Sequence, residues 1–179
     1  MNVIAICGSL RSASINRTLL HAAIRLSPPG MKIVMSQDIG KLPLYNPELE
    51  QSIPEQVASF RAQVAAAQAL LIASPEYAHG VTGALKNALD WLVSFEPFAN
   101  KPVALLNASP RAHHADASLR EILKTMSAEL VEPASISIPL LGSALTEDEI
   151  ATHPAISPAI AGALLDLQAA ASHRISRKA

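Results

Sequence analysis

The chain has 179 residues, 50% of them hydrophobic and 16% charged, which rules out a disordered chain and supplies enough apolar material for a sizeable core in one domain, expected over 1–179. Fourteen lysines and arginines against fifteen aspartates and glutamates leave a formal charge of -1, so there is no electrostatic footprint for nucleic acid or an anionic membrane, and a shuttle that docks by acidic charge is disfavoured. The single cysteine, Cys7, forms no intramolecular disulfide, no leader is read before the first apolar run, and no apolar stretch reaches the length of about 18 residues that spans a bilayer, so the expectation is a cytoplasmic domain.

Residues 3–7 are a short run, Val-Ile-Ala-Ile-Cys, with no polar alternation, the pattern of a strand covered on both faces. Ile15, Leu19, Ala23 and Leu26 then recur at helical spacing. A weaker strand is predicted at 32–35, followed by a Pro-rich loop over 40–54. Val57, Phe60, Val64 and Ala67 mark a second helix, and 69–73 a second non-alternating strand. Leu85, Leu89 and Leu92 give a third helix, 102–106 another strand, and Leu119, Leu123 and Met126 a fourth helix. A fifth strand is predicted at 135–138, an irregular stretch over 139–158, and a last helix carries Ile160, Leu164 and Leu167. Strands and helices alternate throughout, which calls for an open parallel sheet between two helical layers with right-handed crossovers. Ligands of such sheets bind outside the carboxyl ends of the strands, so the informative loops follow Cys7, Ala73 and Asn107.

The first loop reads Gly8-Ser9-Leu10-Arg11-Ser12-Ala13-Ser14-Ile15-Asn16. It joins a buried strand to a helix, so free backbone N–H groups sit at the positive end of the helix dipole. Ser9, Ser12, Ser14 and Asn16 add neutral donors, and Arg11 adds a cationic fork suited to phosphate. Capping by Ser14 or Asn16 is the plainer reading and accounts for one of them. No glycines follow Gly8 in the dinucleotide-binding pattern and no Walker lysine is present, which leaves a terminal phosphate monoester as the fitting anion. The second loop, Ser74-Pro75-Glu76-Tyr77-Ala78-His79-Gly80, reads either as a stiff platform for a planar heterocycle or as an ordinary turn with Thr82 capping the next helix. Glu76 and His79 lack the further ligands that a metal site requires.

Taken together, Gly8-Ser9-Leu10-Arg11-x-x-Ser14-x-Asn16, Ser74-Pro75-Glu76-Tyr77 and Gly83-Ala84-Leu85-Lys86-Asn87-Ala88-Leu89-Asp90-Trp91 closely resemble the NAD(P)H-dependent FMN reductase family, which includes quinone, azo-dye and chromate reductases. The likeness runs from Met1 to about Ser137. It implies a flavodoxin-like three-layer sandwich with a five-stranded parallel sheet in the order 2-1-3-4-5. It also implies non-covalent FMN, with NADPH or NADH as co-substrate and hydride passed on to a quinone-like, azo or other small acceptor. The FMN phosphate would lie on Ser9, Arg11, Ser14, Ile15 and Asn16, and the ring near Pro75, Glu76, Tyr77 and Ala78, with Ser109 and Arg111 on the third wall. No catalytic side chain and no metal is required, since the flavin carries the redox chemistry. An electron-carrier flavodoxin, a non-catalytic flavin-binding module and a phosphate-binding domain without flavin are the rival readings.

Two departures from the family stand out. Ala78 occupies a position where the family usually carries Asn. The third loop, Asn107-Ala108-Ser109-Pro110-Arg111-Ala112-His113-His114, replaces a Gly-rich turn. Arg111 either stabilises charge on the N1/O2 side of the flavin, meets a nucleotide phosphate or is solvated; His113 either protonates a quinone oxygen or, like His114, is solvated ahead of a helix capped by Asp116 or a neighbour. Cys7 reads as packing. Trp91, Leu92, Val93 and Phe95 form a dense apolar run, read as core or as the interface of a homodimer or homotetramer, since family members usually pair through this helix.

Overall fold

The computed structural model describes residues 1–37 and 39–178. Its strands are β1 (Asn2–Cys7), β2 (Lys32–Met35), β3 (Ala69–Ala73), β4 (Glu76–Tyr77), β5 (Gly80–Val81), β6 (Pro102–Asn107), β7 (Glu129–Leu130) and β8 (Ile136–Ser137). Its helices are α1 (Ile15–Arg25), α2 (Glu55–Ala66), α3 (Gly83–Asp90), α4 (His113–Thr125), α5 (Glu147–Thr152) and α6 (Ile156–Lys178). The main sheet is parallel in the order β2-β1-β3-β6-β7, with β8 pairing β6 further along, which is the expected flavodoxin-like 2-1-3-4-5 order.

The non-alternating runs are explained by two cores. Alternate side chains of a strand point to opposite faces. Val3, Ala5, Cys7, Leu71, Ala104 and Leu106 pack with α1 and α6 through Leu19, Leu20, Leu164 and Leu167. Ile4, Ile6, Leu70, Ile72, Val103 and Leu105 pack with α2, α3 and α4 through Val57, Phe60, Leu85, Leu89, Leu119 and Leu123. Every residue of β3 is buried, as a central strand between two helical layers must be.

The structure corrects the sequence reading at two places. The fifth strand is not one run at 135–138 but two short pieces, β7 and β8, separated by a 3-10 turn at Glu132–Ala134. Pro133 sits in that turn, with no N–H to give the ladder. The Ser135 hydroxyl fills the gap, accepting from Leu105 N at 3.1 Å and donating to Val131 O at 3.0 Å. Second, the stretch 139–158 contains α5, whose Thr146 and Glu149 form a reciprocal capping box. Arg25 of α1 holds α5 through ion pairs to Asp148 and, at 3.8 Å, Glu147. Of the two readings of the 91–95 run, Trp91 and Leu92 take the core one, 0% and 1% exposed, while Val93 is 64% exposed.

Three polar anchors hold the 40–54 loop and the end of α2 in place. Arg61 grips Glu50 bidentately at 2.7 and 3.0 Å, and Trp91 Nε1 donates to Pro43 O at 2.8 Å. Buried Lys101 donates to Val64 O at 2.8 Å and to Ala67 O, the carbonyl end of α2 where a cation is favoured. Among the described residues no helix is long and apolar enough to cross a membrane.

Candidate functional site

The loops after β1, β3 and β6 meet at the carboxyl edge of the sheet and enclose a cleft of about 480 Å³. Ser9, Arg11, Ser14, Ile15 and Asn16 line one wall, Pro75, Glu76 and Tyr77 a second, and Ser109 and Arg111 a third. Ala78 is the exception among the residues singled out from the sequence: it lies exposed at the tip of its turn and outside the lining. Leu141 joins the rim from a segment read only as irregular; its neighbour Leu140 is tied to the sheet by a 3.1 Å bond to Ala108 O. Nothing in the sequence pattern marked it.

The first wall combines a helix cap with an anion cup. Ser14 is the N-cap of α1, its Oγ accepting from Arg17 N at 3.4 Å, so the capping reading holds for Ser14. Its hydroxyl proton remains available, and the Ile15 and Asn16 N–H groups precede the first intrahelical bond. Ser9, Ser14 and Asn16 are 2%, 6% and 4% exposed, an uncommon depth for polar side chains at a loop. The Asn16 Oδ1 has no hydrogen-bond partner. A buried acceptor left unmade costs about 1–3 kcal/mol, which marks a place where a ligand donor belongs. A ribityl hydroxyl satisfies that oxygen, and the serines, free amides and Arg11 suit a phosphate monoester, so the residues fit FMN. Among the described residues no carboxylate pairs with Arg11 or Arg111.

Gly8 brings the first two walls together. Its N–H donates to Ala73 O at 2.8 Å, and its carbonyl accepts from the buried Thr82 hydroxyl at 2.7 Å. Thr82 also accepts from Leu85 N at 3.3 Å, so the residue read as a cap both caps α3 and ties the two loops.

The second wall is a two-residue hairpin. Ala78 and His79 have φ of 49° and 59°, and β4 pairs with β5 across them, the geometry of a type I′ turn. The left-handed region is one that Asn or Gly adopts more readily than Ala, so Ala78 holds this turn at a cost. Ala78→Gly is expected to stabilise the fold by about 0.5–1 kcal/mol, read as a rise of about 1–4 °C in melting temperature.

Glu76 joins the second wall to the third. Its Oε2 accepts from Ala115 N at 2.8 Å, capping α4, whose own N-cap Ala112 offers no side chain. Asp116, one of the expected caps, instead pairs with Arg120 at 2.6 Å. The Ala115 bond, helped by nearby His114 and His79, holds the Glu76 carboxyl below its ordinary value of 4.5. A depressed carboxyl contributes stability that is present above its unfolded value and lost as pH falls through the folded one. Glu76→Gln, which still accepts from Ala115, is therefore expected to flatten the loss of stability below pH 4.5, measured as urea midpoints across the acid range. His79 stacks on His114 at 4.3 Å between ring centres, and His113 lies 4.1 Å from His114. Among the described residues no group of three or more His, Cys, Asp or Glu converges on a metal position.

The third wall is braced internally. Ser109 N donates to Asn107 Oδ1 at 2.9 Å and Ala112 N to Ser109 O at 2.9 Å. Pro110 has no N–H, and the Arg111 amide makes no hydrogen bond among the described residues. The Arg111 side chain is exposed. Cys7 is buried, with its thiol 3.5 Å from Ser9 O, and packs as expected.

A sequence model described as NADPH-dependent FMN reductase matches residues 1–140. An NAD(P)H-dependent FMN reductase of Pseudomonas aeruginosa is 47% identical over 112 residues, which cover 61% of this chain and 60% of that one. A 2-hydroxy-1,4-benzoquinone reductase of a Burkholderia species is 42% identical over 91 residues, covering 51% of this chain and 49% of that one. The matched stretch thus spans half to three fifths of these relatives' length. Among solved structures, FerB of Paracoccus denitrificans, a flavoenzyme NAD(P)H:(acceptor) oxidoreductase, superposes with a TM-score of 0.81 at 25% identity, covering 96% of this chain and 97% of that one. The parallel sheet in its 2-1-3-4-5 order and a match over residues 1–140 agree, and the chain belongs to the NADPH-dependent FMN reductase family.

Proposed function

We propose that the chain binds FMN non-covalently in this cleft and acts as an NAD(P)H-dependent oxidoreductase on a small quinone-like, azo or similar acceptor. The observation that carries the reading is the first wall: three polar side chains buried at a helix N-terminus, beside Arg11, with the Asn16 oxygen unpartnered and Arg11 without a carboxylate among the described residues. Ser9, Arg11, Ser14 and the Ile15 and Asn16 amides would hold the phosphate. Pro75, Glu76 and Tyr77 would support the ring, with the Arg111 amide and the Ser109 hydroxyl serving its pyrimidine side; Ala78 would act only by shaping the turn.

When bound, FMN supplies hydride acceptance from the nicotinamide and its passage to the acceptor. The chain's contribution is to orient and to leave room. Tyr77 and Leu141, 52% and 58% exposed, border an open mouth through which nicotinamide and acceptor can enter in turn. No acid or nucleophile is asked of a side chain. Residues 1–179 are read as one domain, because α6 packs into the same core as β1 and β6. A reduced, buried Cys7 and a nicotinamide supply both suit the cytoplasm.

An absorption spectrum of the purified, FMN-supplemented protein tests this. A protein-bound flavin band that bleaches on anaerobic addition of NADPH or NADH and returns with a quinone is the expected result. A bound flavin that neither nucleotide bleaches makes the protein a carrier or a non-catalytic flavin module. A protein that takes up no FMN removes the flavin altogether.

The protein is expected to work as a homodimer or homotetramer. Leu44, 82% exposed on the loop held by Trp91, and Val93, 64% exposed just after it, supply the uncovered apolar surface, while Trp91 and Leu92 do not. Light scattering at micromolar concentration should give at least twice the chain mass of 18.9 kDa. A mass equal to one chain defeats this expectation.

A further inference from the structure

We infer that the cleft contains a second anion subsite, built on the Arg111 guanidinium, which selects aromatic electron acceptors that carry an acid group. The inference rests on the oxidoreductase reading above and names the substrate class of that same cleft.

Two arginines line one cleft from different loops, and neither has a carboxylate partner among the described residues. Elsewhere Arg25, Arg61 and Arg120 are each paired with acids. The carboxylate that lines the cleft, Glu76, is engaged by Ala115 N on the side of α4. The cleft therefore carries an excess of positive charge in a protein whose overall charge is only -1. One phosphate monoester, seated among Ser9, Ser14 and Asn16, accounts for Arg11. Arg111 comes from the opposite wall and is left over.

Its presentation is built rather than accidental. The turn that bears it is held by Asn107 Oδ1 on Ser109 N, by Ala112 N on Ser109 O, and by Asn107 Nδ2 at 3.4 Å from Ala112 O. Next to it the rim is apolar, with Tyr77 and Leu141 more than half exposed. A cationic fork beside exposed apolar surface complements a flat aromatic body with one anionic substituent, because a guanidinium pairs with carboxylate or sulfonate and also stacks on rings.

The test uses the FMN-loaded protein and two acceptors of similar size, 1,4-naphthoquinone-2-sulfonate and 2-methyl-1,4-naphthoquinone, with naphthalene-2-sulfonate as a non-reducible binding probe. Arg111→Ala should weaken naphthalene-2-sulfonate binding in calorimetry by about tenfold, the scale of a charge-assisted bond on an exposed side chain. The ratio of kcat/KM for the sulfonated over the methylated quinone should fall by a similar factor, and Arg111→Lys should restore part of it. Using the ratio between wild type and variant cancels the difference in intrinsic reactivity of the two quinones. Added salt should erode the wild-type preference and leave that of Arg111→Ala unchanged. An equal loss for both quinones overturns the inference and returns Arg111 to the flavin. A higher KM for NADPH with an unchanged sulfonate ratio overturns it in favour of a nucleotide phosphate. Wild-type protein that reduces neither quinone overturns the oxidoreductase reading and the acceptor assignment with it, whereas normal reduction with sulfonate binding indifferent to Arg111 overturns the subsite alone.

Discussion

Arg11→Ala is expected to weaken FMN binding by roughly 10- to 150-fold while changing riboflavin binding by no more than about twofold. The range follows from a charge-assisted hydrogen bond worth about 1.5–3 kcal/mol, and the exposure of Arg11 pulls the outcome toward the lower end. The buried serines and the α1 amides stay in place in this variant, so the cup keeps its neutral donors and loses only its cation. Riboflavin carries the same ring and ribityl chain without the phosphate, which isolates that one contact. Fluorescence titration of both ligands provides the comparison. Equal losses for the two would place Arg11 away from the phosphate, and the anion would then be held by Ser9, Ser14 and the helix N-terminus.

How far the sequence reveals this site depends on what kind of interaction builds it. The strands were legible because burial on both faces leaves uninterrupted apolar runs, and β1, β3 and β6 stand within a residue of where those runs fall. The first wall was legible because its donors are consecutive in the chain. The edge strand was not, because a proline-bearing turn divides it and a serine hydroxyl completes the ladder, neither of which shows in periodicity. Helix α5 had a readable signal, Thr146-Glu147-Asp148-Glu149, and its two short turns were missed only because it lacks an apolar stripe. The contacts between walls were invisible. Glu76 capping α4 across 39 positions and Thr82 holding Gly8 across 74 are long-range pairings that no local spacing encodes. They also change the role of a residue: Glu76 was singled out as a ring contact, and its carboxylate braces two loops against each other.

Gly8→Ala is expected to destabilise the fold by about 1–3 kcal/mol and to lower FMN affinity at the same time. A Cβ built on Gly8 would stand 2.2 Å from Ser74 Oγ, 2.6 Å from Ser74 Cβ and 3.1 Å from its Cα. The collision is with the start of a neighbouring chain segment and not with the free end of a long side chain, so the β1 and β3 loops must part. Parting them strains the Gly8–Ala73 bond and the Thr82 hydroxyl's hold on the Gly8 carbonyl, the contacts that set the spacing of the first two walls. Gly8 has an ordinary backbone φ, so crowding is the one mechanism by which a methyl group can act there. Ser74→Gly removes both of the nearest atoms and should therefore rescue the variant in part, with a coupling of about 1 kcal/mol in a double-mutant cycle of urea midpoints. The remaining 3.1 Å contact to the Ser74 backbone limits how complete that rescue can be. Strictly additive losses in the cycle would mean that the two loops do not bear on each other at this point, and the cleft would then owe its width to the Gly8–Ala73 and Thr82–Gly8 bonds.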